Sequence, residues 1–309
     1  MLGVVQGCQA QNVSNTLWAY ASLRADPGQL LMAAAAQRLC AAKDASPQIL
    51  ANSLWAYAKL GCSPGEECLH VLAADLHNQA HKAAPQNISN SMWAFAELGW
   101  TPSQSVTDGL LSSMQRCMIN AQPQHISNTI WACAKLGVQP GDDFLQAAFE
   151  SMGAALHLYN PQSIANVMWG CTKLGYLPAP AFTQAATERM LQLMPTAPDQ
   201  NIANMLWALC MLDVSTPPSH QFMKASSQRL MQLLSTAGIE TLCQVATAYA
   251  KLQYIPKNAL FDHMARRFQE LQPTSSGSVA LMCKAYRSLG LHPKLSWYID
   301  HHDDREGSR

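Results

Sequence analysis

The sequence predicts an all-α fold, an α-solenoid wound as a right-handed superhelix of about eight helix-turn-helix repeats of about 38 residues each. Two observations support this fold class. A sequence motif centred on tryptophan recurs at a spacing of 37 or 38 residues. Most of the repeats that it defines contain two helical segments that begin near a proline. The tryptophans are Trp18, Trp55, Trp93, Trp131, Trp169 and Trp207. Two weaker copies follow, with Thr247 and Lys284 at the tryptophan position.

The first helix of a repeat is illustrated by the segment "SPQILANSLWAYAKLG", residues 46–61. Ser46 is a favourable N-cap, and Pro47 suits the first helical position, where its missing N–H costs nothing. Gly61 is expected to end the helix, because glycine adopts the left-handed backbone conformation at little cost. Nine residues after most tryptophan positions stands another proline, such as Pro64, which opens a second helix with apolar residues at helical spacing.

The predicted array occupies residues 1–299, with the last two repeats degenerate and the first and last incomplete, and residues 300–309 are expected to form a disordered polar tail. Apolar residues make up 49% of the chain, which is ample for a core. Lysine plus arginine equals aspartate plus glutamate at 20 each, so a polyanion must be bound by a local surface rather than by bulk charge.

The ten cysteines include no C-x-x-C pair, and several stand at repeat positions held elsewhere by Tyr, Phe, Ala or Leu. We therefore expect small buried side chains in a reducing compartment rather than a disulfide framework. Every apolar run is shorter than the ~20 residues of a membrane-spanning helix, so no membrane partner is expected. The first residues run straight into the first repeat without a cleavable signal peptide.

Three polar positions lie on one side of the first helix: a glutamine seven residues before the tryptophan, an asparagine three before it and a lysine four after it. At about 100° per residue they fall within about 60° of the tryptophan and away from the aliphatic residues. Stacked repeats would align them in rows along the inner helices of the solenoid. The tryptophan itself is predicted to be core that bridges neighbouring repeats, so Trp131→Ala is expected to cost about 3–5 kcal/mol.

The residue six before the tryptophan position differs between repeats and is mostly a small hydrogen-bonding type. The residue four later, such as Ser53 or Thr129, is expected on the same face. Variation of this kind is what reading one base per repeat requires, and neutral drift of a surface position is the alternative explanation. The candidate RNA-binding residues are Asn12, Asn15, Asn52, Asn87, Asn90, His125, Asn128, Ser163, Asn166, Asn201, Asn204, Lys59, Lys135 and Lys173.

The phrases "PQILANSLWAYAKLG", "PQHISNTIWACAKLG" and "PQSIANVMWGCTKLG" resemble the octotricopeptide repeat family of organellar RNA-binding proteins, and the resemblance covers nearly the whole chain. The chain is also similar to the helical region of FAST-kinase-like and RAP-domain proteins. This resemblance implies single-stranded RNA (organellar mRNA or rRNA) as the partner, with ribonucleoprotein or ribosome components beside it. It also implies a role in transcript stability, processing, translation or rRNA assembly in the chloroplast or mitochondrion.

The sequence departs from that family at its ends, since no RAP-like domain follows the repeats and no transit peptide precedes them. The chain also starts and ends inside a repeat, which is compatible with a piece of a longer protein.

Two alternatives stay open. The asparagine row has a structural explanation, since a half-buried amide can bridge to the next repeat and fix the stacking. The second function class is a protein-binding scaffold of the armadillo type, whose asparagines would hold an extended peptide. No phosphate-binding loop or catalytic constellation occurs in the sequence, so no enzyme, cofactor or metal is expected. The cluster at 300–304 and the set His70, His77 and His81 are better explained as terminal or surface residues than as metal ligands.

Overall fold

The computed structural model describes residues 5–212 and 218–293, and the predicted tail at 300–309 lies outside them. Fifteen α-helices account for most of this part of the chain, and no β-strand occurs in it. Consecutive helices pack against one another as in a solenoid, so the all-α fold class is confirmed. The right-handed sense and the single array over residues 1–299 stay predictions.

The helices alternate as predicted between a first and a second helix in each repeat. The first helices are α1 (Ala10–Leu23), α3 (Pro47–Lys59), α5 (Pro85–Glu97), α7 (Pro123–Leu136), α9 (Pro161–Leu174), α11 (Asp199–Met211), α13 (Ile239–Lys251) and α15 (Ser276–Ser288). The second helices are α2 (Gln29–Cys40), α4 (Glu66–Asn78), α6 (Gln104–Cys117), α8 (Asp142–Ala155), α10 (Pro180–Leu193), α12 (His220–Leu233) and α14 (Leu260–Glu270). Short 3₁₀ turns follow four of the second helices, at Ala80–Lys82, Met118–Asn120, Leu156–Leu158 and Met194–Thr196.

Internal contacts divide the chain into two compact units, residues 1–155 and residues 156–309. In the first unit, α1, α3, α5 and α7 pack side by side in one row, and α2, α4, α6 and α8 form another. In the second unit, α9, α11, α13 and α15 form one row, and α10, α12 and α14 form the other. Within each unit the first helices are in much closer contact than the second helices. The assignment of the first helices to the inner row of the solenoid stays a prediction.

The predicted ends of the first helix are confirmed in α3. Ser46 Oγ accepts a hydrogen bond from the backbone N–H of Ile49 at 3.4 Å, and Pro47 is the first helical residue. The chain turns out of the helix at Gly61, whose φ of +65° lies in the left-handed region that glycine tolerates best.

Small side chains allow the first helices to approach one another closely. The residue directly after the tryptophan is an alanine in most repeats, and Ala56, Ala94 and Ala132 are completely buried. The residue four before the tryptophan is also small, and Ser14 Oγ donates a hydrogen bond to the backbone carbonyl of Ile49 at 3.1 Å across the contact between α1 and α3. Larger side chains at these positions would push neighbouring first helices apart.

Arginines of four second helices link the two helices of their own repeat, a role that the sequence analysis did not predict. Four of them donate from Nε to the backbone carbonyl that precedes the first helix of the same repeat. The pairs are Arg38 with Cys8 (2.6 Å), Arg189 with Tyr159 (3.4 Å), Arg229 with Ala197 (3.2 Å) and Arg267 with Ala237 (3.4 Å). The signal was present, because the last three arginines recur at nearly the repeat period.

Two cysteines, Cys40 and Cys68, form a disulfide, although the sequence predicted that the cysteines would be free thiols. Cys40, the last residue of α2, and Cys68, in the first turn of α4, are joined as a disulfide with their Cα atoms 5.7 Å apart. Residues from successive second helices meet only through the stacking of the repeats, so their spacing in sequence did not predict the pair. Cys133, Cys171, Cys243 and Cys283 are buried as expected, and burial raises the pKa of the Cys133 and Cys171 thiols to about 12, whereas Cys210 is half-buried. The reducing compartment stays a prediction.

Candidate nucleic-acid interface

The glutamine, asparagine, tryptophan and lysine positions of the first helices form a solvent-facing surface in each unit, which we term the first-helix face. In the first unit it consists of Gln11, Gln48, Gln86, Gln124, Asn15, Asn52, Asn90, Asn128, Trp18, Trp55, Trp93, Trp131, Lys59 and Lys135, and in the second of Gln162, Gln200, Asn166, Asn204, Trp169, Trp207 and Lys173. Opposite this face, the aliphatic residue before each tryptophan, such as Leu54 or Ile130, is completely buried. The helical periodicity therefore predicts the position of this face.

The tryptophans belong to the first-helix face and not to the core, so that part of the sequence interpretation is wrong. Trp18 is 50% exposed, and the other five are half-buried. The tryptophans are partly exposed because their position around the helix axis is beside the polar stripe and about 100° from the nearest aliphatic position. Successive tryptophans also approach one another, and the ring centroids of Trp18 and Trp55 are 6.5 Å apart with the planes inclined by 29°.

Two lysines of the face, Lys59 and Lys173, each lie between the tryptophans of two neighbouring repeats of the same unit. Lys59 Nζ is 5.9 Å from the ring centroid of Trp55 and 4.7 Å from that of Trp93. In the second unit, Lys173 Nζ is 5.7 Å from Trp169 and 5.0 Å from Trp207. These distances are within the range of cation–π attraction. The lysines stay exposed, so each ammonium group is held in a fixed place while remaining accessible to an anion.

Asparagines in the middle of the face have free amides. Asn52, Asn90 and Asn128 are half-buried on successive helices α3, α5 and α7, and Asn166 on α9 is 8% exposed. Among the described residues, none of these four side chains makes a hydrogen bond to the protein. They therefore do not brace the stack, and each amide offers a donor and an acceptor to a ligand.

Asparagines near the ends of the row are instead engaged with their neighbours. Asn15 Oδ1 accepts from Gln11 Nε2 at 2.8 Å on exposed α1. Asn204 Oδ1 accepts from Gln200 Nε2 and from Gln244 Nε2, both at 3.0 Å, so it joins α11 to α13. Thr241 Oγ1 completes this network by donating to Gln200 Oε1 at 2.8 Å. The bracing explanation of the asparagine row is therefore correct at Asn204.

Replacing Asn204 with alanine should lower the free energy of unfolding by about 1–2 kcal/mol, because two part-buried amides lose their shared acceptor. The matched change Asn128→Ala removes no hydrogen bond and should alter stability by less than about 0.5 kcal/mol. Urea unfolding of both variants measures the difference. Equal losses in the two variants would contradict the assignment of bracing to Asn204 alone.

In two repeats the variable residue six before the tryptophan caps the N-terminus of the first helix. Asn87 Oδ1 accepts from the backbone N–H of Ala84 at 3.1 Å, and His125 Nδ1 accepts from that of Gln122 at the same distance. Each side chain thus satisfies a backbone donor that the helix start leaves open. The remaining candidates here differ in exposure: Asn12 is exposed, Asn201 is half-buried and Ser163 is buried. Readout of bases by this position stays a prediction, and the structure shows helix capping by Asn87 and His125.

Two of the hydroxyls expected four residues later, those of Ser53 and Thr129, do not reach the same surface, whereas Thr16 is exposed. Ser53 Oγ donates to the backbone carbonyl of Ile49 at 2.8 Å, and Thr129 Oγ1 donates to that of His125 at 2.8 Å. Both side chains are completely buried. Each hydroxyl is bound to a carbonyl of its own helix and is not available to a ligand.

The cap at His125 should make stability depend on pH. Burial lowers the pKa of His125, and Nδ1 can accept the N–H of Gln122 only while the ring is neutral. The unfolded chain then binds the proton more readily than the folded one, so stability is full above the ordinary histidine pKa of about 6.5 and falls as the pH drops below it. We expect a loss of about 1 kcal/mol, the usual contribution of a cap.

The control for this prediction is His125→Asn, because Asn87 makes the same bond from the same position. This variant should match the original chain near pH 7.5 and exceed its stability near pH 5.5. Thermal unfolding of both chains at the two pH values measures the difference in stability. The other histidines are present in both chains, so their titration does not contribute to this difference. A stability difference that does not change with pH would refute the role of His125 as a neutral cap.

The first-helix face combines groups suited to binding rather than to bond breaking. Free amides recognise base edges, indole rings stack on bases and ammonium groups attract phosphates. Within residues 5–212 and 218–293, no group of three or more His, Cys, Asp or Glu side chains is arranged to hold a metal ion. No helix in this part of the chain has both the length and the apolar character needed to cross a membrane.

Comparison with known families finds one match on the chain. Residues 69–220 match the family model of the Tbc2 translation factor, N-terminal domain. The matched segment runs from α4 to the first residue of α12, just under half of the chain, and includes Asn90, Asn128, Asn166 and Asn204. A comparison with curated proteins found no match.

Proposed function

We propose that this chain is a modular single-stranded RNA-binding protein that acts in organellar RNA metabolism, most directly in translation. The RNA strand lies along the first-helix face and meets one repeat after another. The role is binding and not catalysis, and the partners are an organellar mRNA or rRNA with its ribonucleoprotein or ribosome components. The similarity of residues 69–220 to a translation factor domain supports the link to translation. The resemblance to octotricopeptide repeats supports a chloroplast or mitochondrial setting.

The observation that carries the proposal is the set of free amides on α3, α5 and α7. A half-buried amide without a partner in the protein is accessible to water and to a ligand, whereas a fully buried one would cost free energy. Asn52, Asn90 and Asn128 each keep an amide without a hydrogen-bond partner in the described part of the protein, on the helix face that carries the tryptophan of the same repeat. A base edge offers a matching donor and acceptor, and asparagine pairs in this way with adenine.

The second candidate function is a scaffold that binds an extended peptide, as armadillo arrays do. It is favoured by the equal numbers of acidic and basic residues, since a dedicated polyanion binder usually carries an excess of positive charge. Unpaired asparagine amides also match the donor and acceptor of a peptide backbone. The two functions differ in how much of the affinity is electrostatic.

A salt titration of binding to a single-stranded RNA separates the two functions. If Lys59, Lys135, Lys173 and Lys251 each contact a phosphate, raising the salt from 50 to 200 mM should weaken RNA binding about 50-fold. A matched variant with all four lysines changed to glutamine should bind more weakly and lose most of this salt dependence. Salt-independent RNA binding, or no RNA binding together with capture of an unstructured peptide, would overturn the proposal in favour of the scaffold.

A further inference from the structure

A cleft of about 710 Å³ lies where the first and second repeats meet in the first unit. Its lining includes Ser22 in the last turn of α1, Arg24 directly after that helix, Asp26 in the following loop, and Trp55 and Lys59 on α3. The volume is within the range of small-molecule sites. An aromatic ring, two cations and one carboxylate therefore surround a space of the size of one nucleotide.

The cleft exists because the first repeat lacks the lysine that other repeats place there. Lys59 and Lys173 stand four residues after their own tryptophans and reach the ring of the next one, at 4.7 Å from Trp93 and 5.0 Å from Trp207. In the first repeat the same position is Ser22, whose short side chain cannot cover Trp55 in this way. The ring of Trp55 is approached by the ring of Trp18, with centroids 6.5 Å apart, and by Lys59 Nζ at 5.9 Å, but it receives no ammonium group from the preceding repeat. The part of the ring that lines the cleft is therefore not covered by a lysine of the first repeat.

The first repeat also carries a cation where other repeats carry a turn glycine. Arg24 stands at the position of Gly61 and Gly137 and adopts the same left-handed conformation, with φ at +52°. A side chain is unfavourable in this conformation, so a glycine would suit the turn better. Neither Arg24 nor Lys59 is in an ion pair among the described residues. Non-glycine residues held in this conformation are found preferentially at functional sites.

We propose that this cleft binds one nucleoside monophosphate unit, with the base against the Trp55 ring and the phosphate between Arg24 and Lys59. Asp26 Oδ1 accepts the backbone N–H of Gly28 at 2.8 Å, which fixes the carboxylate and leaves Oδ2 as an acceptor for a ribose hydroxyl or a base amino group. Two cations and one carboxylate match the single negative charge of a phosphodiester. The proposal rests on the proposed function when the unit belongs to an RNA strand, and the same chemistry would accept a free nucleotide.

The test uses two substitutions that introduce residues already present at these positions in other repeats. Ser22→Lys supplies the ammonium group that should fill the cleft over Trp55, and Arg24→Gly removes one phosphate contact while relieving the turn. Both variants should melt at or above the temperature of the original chain. Each should weaken binding of adenosine monophosphate, measured by calorimetry on the whole chain, about 10-fold. Gln253→Gly is the matched control, because Gln253 has φ at +50° in the seventh repeat and does not line the cleft.

Parallel titrations with oligoadenylate and inorganic phosphate distinguish the outcomes. Weaker binding of the mononucleotide or of oligoadenylate by both variants, with Gln253→Gly unaffected, supports the cleft. Unchanged binding of both adenosine monophosphate and oligoadenylate by all variants overturns the cleft but leaves the proposed RNA function standing. Variant-sensitive binding of adenosine monophosphate without any oligoadenylate binding supports a free-nucleotide site and contradicts the RNA function. Equal affinity for inorganic phosphate and the mononucleotide would overturn the assignment of the base to Trp55.

Discussion

The triple substitution of Asn52, Asn90 and Asn128 by alanine is expected to weaken single-stranded RNA binding about 100-fold. Each amide should contribute about 1 kcal/mol, the net value of an ordinary hydrogen bond, and three such losses correspond to about two orders of magnitude in affinity. The effects add only if neighbouring repeats bind independently, so the single variants belong in the same series. The melting temperature should change little, because these amides make no hydrogen bond to the described part of the protein.

The control for the triple variant is Asn204→Ala, which disrupts the network with Gln200 and Gln244. This change should lower stability, with RNA affinity falling only through loosening of α11 against α13. Melting temperature and RNA affinity must be measured on the same samples. A triple variant that stays folded and binds RNA as tightly as the original chain would refute the first-helix face as the RNA surface.

Two aromatic residues of α5 are expected to respond in opposite ways to substitution by alanine. Phe95 is completely buried, and Phe95→Ala should cost about 3–5 kcal/mol because it leaves a large cavity in the core. Trp93, two residues earlier, is half-buried on the first-helix face beside Lys59, so Trp93→Ala should cost only about 1–2 kcal/mol. The same smaller value now applies to Trp131→Ala, since Trp131 is also half-buried.

RNA binding should show the reverse order. Loss of the Trp93 ring should weaken binding by about 1–3 kcal/mol if a base stacks on it, the range found for aromatic platforms. Phe95→Ala should bind normally at temperatures where it is still folded, because Phe95 is not accessible to a ligand. Urea unfolding and RNA titration of both variants check the pair. A larger stability loss for Trp93→Ala than for Phe95→Ala would show that the tryptophans are part of the core.

The sequence by itself determined the repeat period, the two helices of each repeat and the position of the first-helix face. These are local properties. Ser46, Pro47 and Gly61 specify the ends of α3 through backbone geometry alone, and the angular positions of Asn90 and Leu54 follow from 3.6 residues per helical turn. The structure agrees with the sequence on each of these points because none of them depends on how one repeat meets the next.

Only the tertiary structure decided which role each side chain has within that pattern. Asn128 and Asn204 occupy the same repeat position, yet one amide is free and the other is held by Gln244 of the next repeat, a glutamine that stands where most repeats have asparagine. The exposure of Trp93, the cap formed by His125 and the pairing of Cys40 with Cys68 likewise depend on neighbouring groups. The physical reason is that helical periodicity specifies only the direction in which a side chain leaves the helix axis. Its burial and its hydrogen bonds depend on which groups of the adjacent repeat lie in that direction.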